Sequence, residues 1–253
     1  MDMCATDHRG TPLVLFFHGG GWAMGDLDSY HELVGDLCAR SGVALLSVAY
    51  RLAPEHGFPE GLHDCIDSLI WAARHAAELG IDGRRIAVMG DSAGGNLAAA
   101  AAHNLHRGRE VRLAAQYLVY PVLDISRPHT AYPSRMEWGG GGYLLDREAI
   151  DTTADWYLGG STARRDDPDV SPMCIEDLSI LPPTVLIAAG HDPLRSENEI
   201  FASRLGQAGV ETCYRCYDGT IHAFLSFPQL GTARDARAWL ARDMKSRLGP
   251  TKA

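Results

Sequence analysis

The sequence predicts an α/β fold, a mostly parallel central sheet with helices on both faces. Two observations carry this. Short apolar runs recur along the chain, and most are continuous rather than alternating, as strands buried on both faces must be. Between the runs lie segments with helical spacing, so strand and helix take turns, the signature of βαβ units. The chain has 253 residues, 46% of them hydrophobic and 22% charged. That composition suits a globular protein, and a single domain of this size buries about 75% of its unfolded surface. No linker and no internal repeat divides it, so residues 1–253 read as one domain.

In chain order, the first run is LVLFF (13–17), followed by HGGGW (18–22) and a helix signal that Ser29 could cap, running through Cys38. VALLSVAY (43–50) is the second run. In residues 58–80, Leu62, Cys65, Ile66, Leu69, Ile70 and Ala73 make one apolar stripe, and Gly80 is a stop signal. IAVMG (86–90) is a third strand, and AGGNLAAAAAHNLH (93–106) is rich in small helix formers. LAAQYLVYPVL (113–123), TVLIAAG (184–190) and ETCYRCY (211–217) supply further strands, with helices over Ser196–Gly209 and Ala233–Leu248. Residues 126–183 break the rhythm. They hold GGGG (139–142), the helix-like DREAIDTTADWYL and, among others, the prolines Pro168, Pro172, Pro182 and Pro183. A loop- and helix-rich excursion of that length reads as an insertion that helps to shape a substrate pocket.

Composition excludes some functions. The formal charge is −9, which argues against nucleic acid as a partner. No apolar run approaches the ~20 residues of a membrane span, and the start MDMCATDHRGTP lacks a hydrophobic signal core. A cytoplasmic protein is expected. Six cysteines do not make a disulfide framework in a chain this long. Cys213 and Cys216 form a lone CxxC within a predicted strand, where residues three apart face opposite ways, so no metal is expected there.

The chemistry collects around Gly90-Asp91-Ser92-Ala93-Gly94. This is G-x-S-x-G between a strand and a helix, the context in which a serine sits on a sharp turn with its hydroxyl exposed. Such a hydroxyl needs a base to take its proton. Of 11 histidines, His222 in DGTIHAF lies just past the last predicted strand, while His63, His75, His103 and His106 fall on helix bodies. The acid that orients the imidazole is read as Asp192, directly after TVLIAAG, with Asp218 and Glu197 as rivals; His191 shapes that turn. The order serine, aspartate, histidine is that of the α/β-hydrolases. Donors for an oxyanion are the N–H groups of Gly20, Gly21 and Ala93, with His18 holding the loop. Trp22, Trp138, Tyr143, Trp156 and Phe224 are candidate substrate contacts.

HGGGW (18–22), YRLAPE (50–55), GDSAGG (90–95), DPDVSP (167–172), HDPLRSE (191–197) and IHAF (221–224) together resemble, in order, the motifs of the hormone-sensitive-lipase-like branch of the α/β-hydrolases, the bacterial family IV esterases. The likeness spans nearly the whole chain. It implies an α/β-hydrolase fold and a serine carboxylesterase acting on short-chain acyl esters without metal or cofactor. It also implies that YRLAPE supports the oxyanion loop, with Arg51 and Glu55 structural. Three departures stand out. Only 17 residues precede His18, so the amino-terminal cap of the family is expected to be reduced or absent, leaving the pocket open and a sheet edge exposed, which favours a homodimer. Ser196 stands where the family often has aspartate, and Ala223 where it has glycine.

Other functions keep parts of this reading. The same three side chains serve an amide, acetyl or formamide hydrolase. A ligand-binding relative would have lost the histidine, which is present. A nucleotide-binding fold would need G-x-G-x-x-G after the first strand, which is absent.

Overall fold

The continuous apolar runs form the strands of one seven-stranded sheet in a computed structural model that describes residues 1–4, 10–109 and 111–249. In chain order the strands are β1 (Asp2–Cys4), β2 (Thr11–Phe17), β3 (Ala44–Val48), β4 (Ile81–Asp91), β5 (Ala115–Val119), β6 (Thr184–His191) and β7 (Thr212–Ile221). They lie in the order β1-β3-β2-β4-β5-β6-β7. All neighbours are parallel except the short β1, which is antiparallel to β3 and was not foreseen in the sequence. Three residues are too few for a periodic signal, and β1 is read only from its partner.

β2 shows why the runs are uninterrupted. Leu13, Leu15 and Phe17 enter the core on one face of the sheet, Val14 and Phe16 that on the other, and none is exposed. The first face is covered by α2 (Glu60–Arg74) and α3 (Ala93–Gly108), the second by α1 (Leu27–Ser41) and α7 (Gly231–Leu248). α3 is buried on every side from Ala93 to His103, so its row Ala98–Ala102 is small by necessity. The cap of α1 is Asp26, whose carboxylate accepts the Ser29 N–H (2.7 Å) and hydroxyl (2.5 Å); Ser29 itself lies inside the helix. α2 stops at Arg74, before Gly80, which instead turns the chain into β4.

The excursion over 126–183 holds α4 (Pro133–Trp138), α5 (Arg147–Leu158) and three single-turn 3₁₀ segments, but no strand. α6 (Arg195–Gln207) follows β6. Cys213 and Cys216 lie in β7, paired with Val185 and Ala188 of β6.

The strand order places the functional loops. From β2 the chain steps outward to β3 and then returns to place β4 on the other side of β2. The loops leaving β2 and β4 therefore diverge from adjacent strands at a switch point, where such sheets open a crevice.

Candidate active site

β4 ends at Asp91 and α3 begins at Ala93, so Ser92 alone joins them. Its backbone sits at φ 54, ψ −119, a conformation costly for a residue with a side chain. The bend is tied down on both sides. The Ser92 N–H donates to the Val119 carbonyl (2.9 Å), and the Ser92 carbonyl accepts from Asn96 (3.1 Å) and Val122 (3.2 Å). The flanking glycines are required sterically: a Cβ at Gly90 would lie 2.1 Å from the Gly94 carbonyl oxygen, and one at Gly94 2.0 Å from that of Phe17.

Asp192 follows β6 and His222 follows β7. β7 is three strands from β4, roughly 14 Å at ~4.8 Å per strand, so the loop carrying the histidine must reach back across the sheet edge. It does so through Ala223 at φ 59, with Tyr120, which follows β5, against the imidazole at 5.0 Å between ring centroids. The result is a continuous chain of side chains. His222 Nδ1 is 2.8 Å from Asp192 Oδ2, and His222 Nε2 is 2.8 Å from Ser92 Oγ. With Nδ1–H donating a hydrogen bond to the Asp192 carboxylate, the neutral imidazole presents its Nε2 lone pair to the hydroxyl. Burial disfavours the charged ring, but Asp192, through its charge and hydrogen bond, and the charges of Asp91 and Glu197 outweigh it. The His222 pKa lies above its ordinary value of 6.5.

The rival acids have other places. Asp218 is exposed on β7. Glu197 is fully buried in α6, where it accepts the Leu123 N–H (2.7 Å) and pairs with Arg135 (2.5 Å); burial still pushes its pKa up to about 7. His191 packs under the rings of Trp138 and Tyr143.

In the loop after β2, the Gly19 N–H donates to Asp91 Oδ1 (2.7 Å), and Asp91 Oδ2 accepts the Tyr30 hydroxyl (3.2 Å). Burial pushes Asp91 up to about 6 despite these donors. The N–H groups of Gly20, Gly21 and Ala93 have no acceptor within the chain among the described residues. His18 is buried and stacked on Tyr50 (4.5 Å), with Nδ1 on the Gly19 carbonyl (2.8 Å); the Tyr50 hydroxyl donates to the His18 carbonyl (2.7 Å). Burial lowers the His18 pKa, which keeps the ring neutral. Arg51 of YRLAPE pairs with Glu60 and Asp64, whereas Glu55 is exposed and makes no ion pair among the described residues.

Gly20, Gly21, Ser92 and His222 border one cavity of about 310 Å³. Its remaining wall is mainly apolar, from Trp22, Met24, Val122, Leu144, Leu145, Ala149 and Ile150. Of the five aromatic residues proposed to touch substrate, only Trp22 is in the wall, and it is also stacked on Tyr157 (4.6 Å). Trp138 and Tyr143 lie against His191, Phe224 is buried between Tyr120 and Tyr217, and Trp156 is on the surface. Aromatic content does not say which way a ring points. The residues missed in the sequence are smaller. Ala149, Ile150 and Thr153 lie on one face of α5, a spacing that could have marked them. Asp91 carried its own signal, a carboxylate beside the motif serine.

A family model described as the α/β hydrolase fold matches residues 14–226. The chain belongs to the hormone-sensitive-lipase-like branch of the α/β-hydrolases. Among curated members of this α/β-hydrolase group, carboxylic ester hydrolase LipN of Mycobacterium tuberculosis is 40% identical over 87% of the chain and 59% of its own length. An arylesterase of Saccharolobus solfataricus is 39% identical over 86% of the chain and 69% of its own length. An esterase of Pyrobaculum calidifontis superposes with a TM-score of 0.89 at 37% identity, over 95% of this α/β-hydrolase and 78% of the other chain. The chain thus spans about three fifths to four fifths of the length of these relatives.

Proposed function

We propose that this α/β-hydrolase is a serine carboxylesterase that cleaves short-chain acyl esters through an acyl-enzyme. Ser92 is the nucleophile, His222 the general base and then acid, and Asp192 the group that orients it. The observation that carries the reading is the pair of 2.8 Å contacts linking Ser92, His222 and Asp192 at the edge of a largely apolar cavity.

In the reaction, Ser92 Oγ attacks the ester carbonyl carbon as its proton passes to His222 Nε2. The carbonyl oxygen gains the charge and is held by the free N–H groups of Gly20, Gly21 and Ala93. Collapse breaks the bond to the alcohol, which leaves with the proton from His222. Water then repeats the sequence on the acyl-serine, giving the acid and restoring the hydroxyl. No redox or metal step enters this balance. The cavity, about 310 Å³, is at the small end of ligand sites, which run from roughly 300 to 1,000 Å³. That suits a small ester, and the two curated relatives are a carboxylic ester hydrolase and an arylesterase.

The partner is therefore a small-molecule ester. No helix among the described residues is long and apolar enough to cross a membrane. The six cysteines are free, which suits a reducing compartment, and the cytoplasm is the proposed location. The ten-residue edge strand β7 is a surface on which a homodimer could form.

The test is hydrolysis of p-nitrophenyl esters from C2 to C12 by the wild type and by Ser92→Ala. Turnover highest on the shortest esters and a ~10⁶-fold lower kcat in the variant support the reading. Undiminished turnover in Ser92→Ala refutes it, and faster turnover of the matching acetamide or formamide would move the assignment to amide bonds.

A further inference from the structure

Asp192 stands on the turn between β6 and α6, and its carboxylate must keep its angle to His222 within narrow limits to be useful. The turn supplies two restraints of its own. Asp192 Oδ1 accepts the Leu194 N–H (2.9 Å), and the Asp192 carbonyl accepts the Arg195 N–H (3.1 Å). The others come from α4, far away in sequence.

Ser134, at the start of α4, is fully buried. Its hydroxyl donates to the Pro193 carbonyl (2.7 Å) and accepts the Ser196 N–H (2.9 Å). Its own N–H donates to Ser196 Oγ (3.0 Å), so the two serines hold each other reciprocally. The next residue, Arg135, pairs with Glu197, and at the far end of α4 the Trp138 ring meets His191 edge-on at 4.5 Å. Six residues of helix thus grip positions 191, 193, 196 and 197, on both sides of Asp192. None of the α4 residues is in the cavity wall, although α4 lies in the excursion that the sequence assigns to the pocket. Ser196 departs from the aspartate frequent in this family, yet it still offers the oxygen that the Ser134 N–H requires.

We propose that α4 is a positioning element for the proposed catalytic acid, and that the reciprocal Ser134–Ser196 clasp sets Asp192 against His222 for proton transfer. This rests on the roles assigned above to Ser92, His222 and Asp192. Neither serine touches substrate or the reacting atoms; both act through Asp192.

A loosened clasp weakens the Asp192–His222 contact, which is the main influence raising the His222 pKa against burial. Slower proton transfer lowers kcat, while substrate binding, and so KM, is little changed. The acid limb of the pH profile then moves to lower pH. A clasp that merely stabilised the fold would lower the melting temperature and leave the limb in place.

The experiment measures kcat, KM and the pH profile of kcat/KM on p-nitrophenyl acetate for the wild type, Ser134→Ala, Ser196→Ala and Ser196→Thr, with Ser92→Ala alongside and a thermal melt of each. Ser134→Ala is expected to lose about tenfold in kcat with KM within about twofold, and its acid limb to fall. Ser196→Ala should move the same way by less, and Ser196→Thr, which keeps the oxygen, should return the limb to its wild-type place. Ser196 is only partly buried, so Ser196→Ala carries the test should Ser134→Ala fail to fold. An unmoved acid limb in the folded alanine variants overturns the proposal, whatever happens to their melting temperatures. Hydrolysis surviving in Ser92→Ala sinks the reading beneath it, and the clasp with it.

Discussion

Gly20→Ala tests the oxyanion loop at its least forgiving point. Gly20 has φ 118, a conformation that residues with a Cβ rarely adopt. The added Cβ would lie 2.2 Å from the Met24 carbonyl oxygen and 2.6 Å from its carbon, where ordinary contact begins near 3.4 Å. The obstacle is backbone, and it belongs to the same turn, because the Gly20 carbonyl accepts the N–H groups of Ala23 (3.2 Å) and Met24 (2.9 Å). Relief therefore requires the turn to open by roughly 1 Å, which carries the Gly20 and Gly21 N–H groups out of line, and misplacement on that scale can cost ~10²-fold in rate. Loss of one such donor costs about 2.7–4 kcal/mol, or about 10²–10³ in kcat. The donors meet full charge only in the transition state, so KM should change little. The assay is steady-state hydrolysis of p-nitrophenyl acetate with a thermal melt of the same samples. Gly140→Ala is the control, since no heavy atom lies within 4 Å of its added Cβ. A Gly20→Ala enzyme with kcat within about threefold of wild type and an unchanged melt would refute the argument that these N–H groups hold the oxyanion.

Four further outcomes follow from the same geometry. His222 must be neutral to accept a proton and its pKa is raised, so activity should be complete at alkaline pH and fall as pH drops through a value above the ordinary 6.5; a profile flat to about pH 5 contradicts this. Asp192→Asn should cost about 10⁴ in kcat, and the residual activity should have its acid limb at lower pH, read from the same profile. Arg135→Ala leaves Glu197 buried without its counter-charge and should cost about 3–5 kcal/mol in urea unfolding. Gly35 lies inside α1 with no heavy atom within 4 Å of an added Cβ, so Gly35→Ala should gain about 0.8–1.0 kcal/mol and raise the melting temperature by about 2–4 °C.

Of the six longer strands, β2 to β6 were legible because their central residues are buried on both faces, and burial leaves a chemical mark; the edge strand β7 is only partly buried and reads less plainly. A run such as LVLFF has no other economical place. Ser92 was legible for a related reason: a bend that brings Gly90 and Gly94 against neighbouring carbonyls admits no side chain, so the turn writes itself into the sequence as glycine. Asp192 and His222 are marked in the sequence by their places at strand ends and by chain order. Trp22 lines the cavity, whereas the other aromatic candidates lie outside its wall because their positions depend on packing partners far along the chain. Trp138 is turned toward His191, and Phe224 toward Tyr120 and Tyr217, by contacts that no local pattern encodes. Which groups hold Arg51 of YRLAPE is likewise not legible in the motif: its partners are Glu60 and Asp64, both on α2.

The sequence by itself determined the six longer strands, most of the helices, the glycine-bounded serine and the chain order of Ser92, Asp192 and His222. Periodicity, burial and steric exclusion act within a few residues, so they are visible there. Only the tertiary structure decided that the β2 and β4 loops flank one crevice, that His222 reaches back over three strands to Ser92, and that α4 braces the turn of Asp192 rather than lining the cavity. Those are consequences of strand order and of contacts between residues tens of positions apart, and a short window of sequence contains neither.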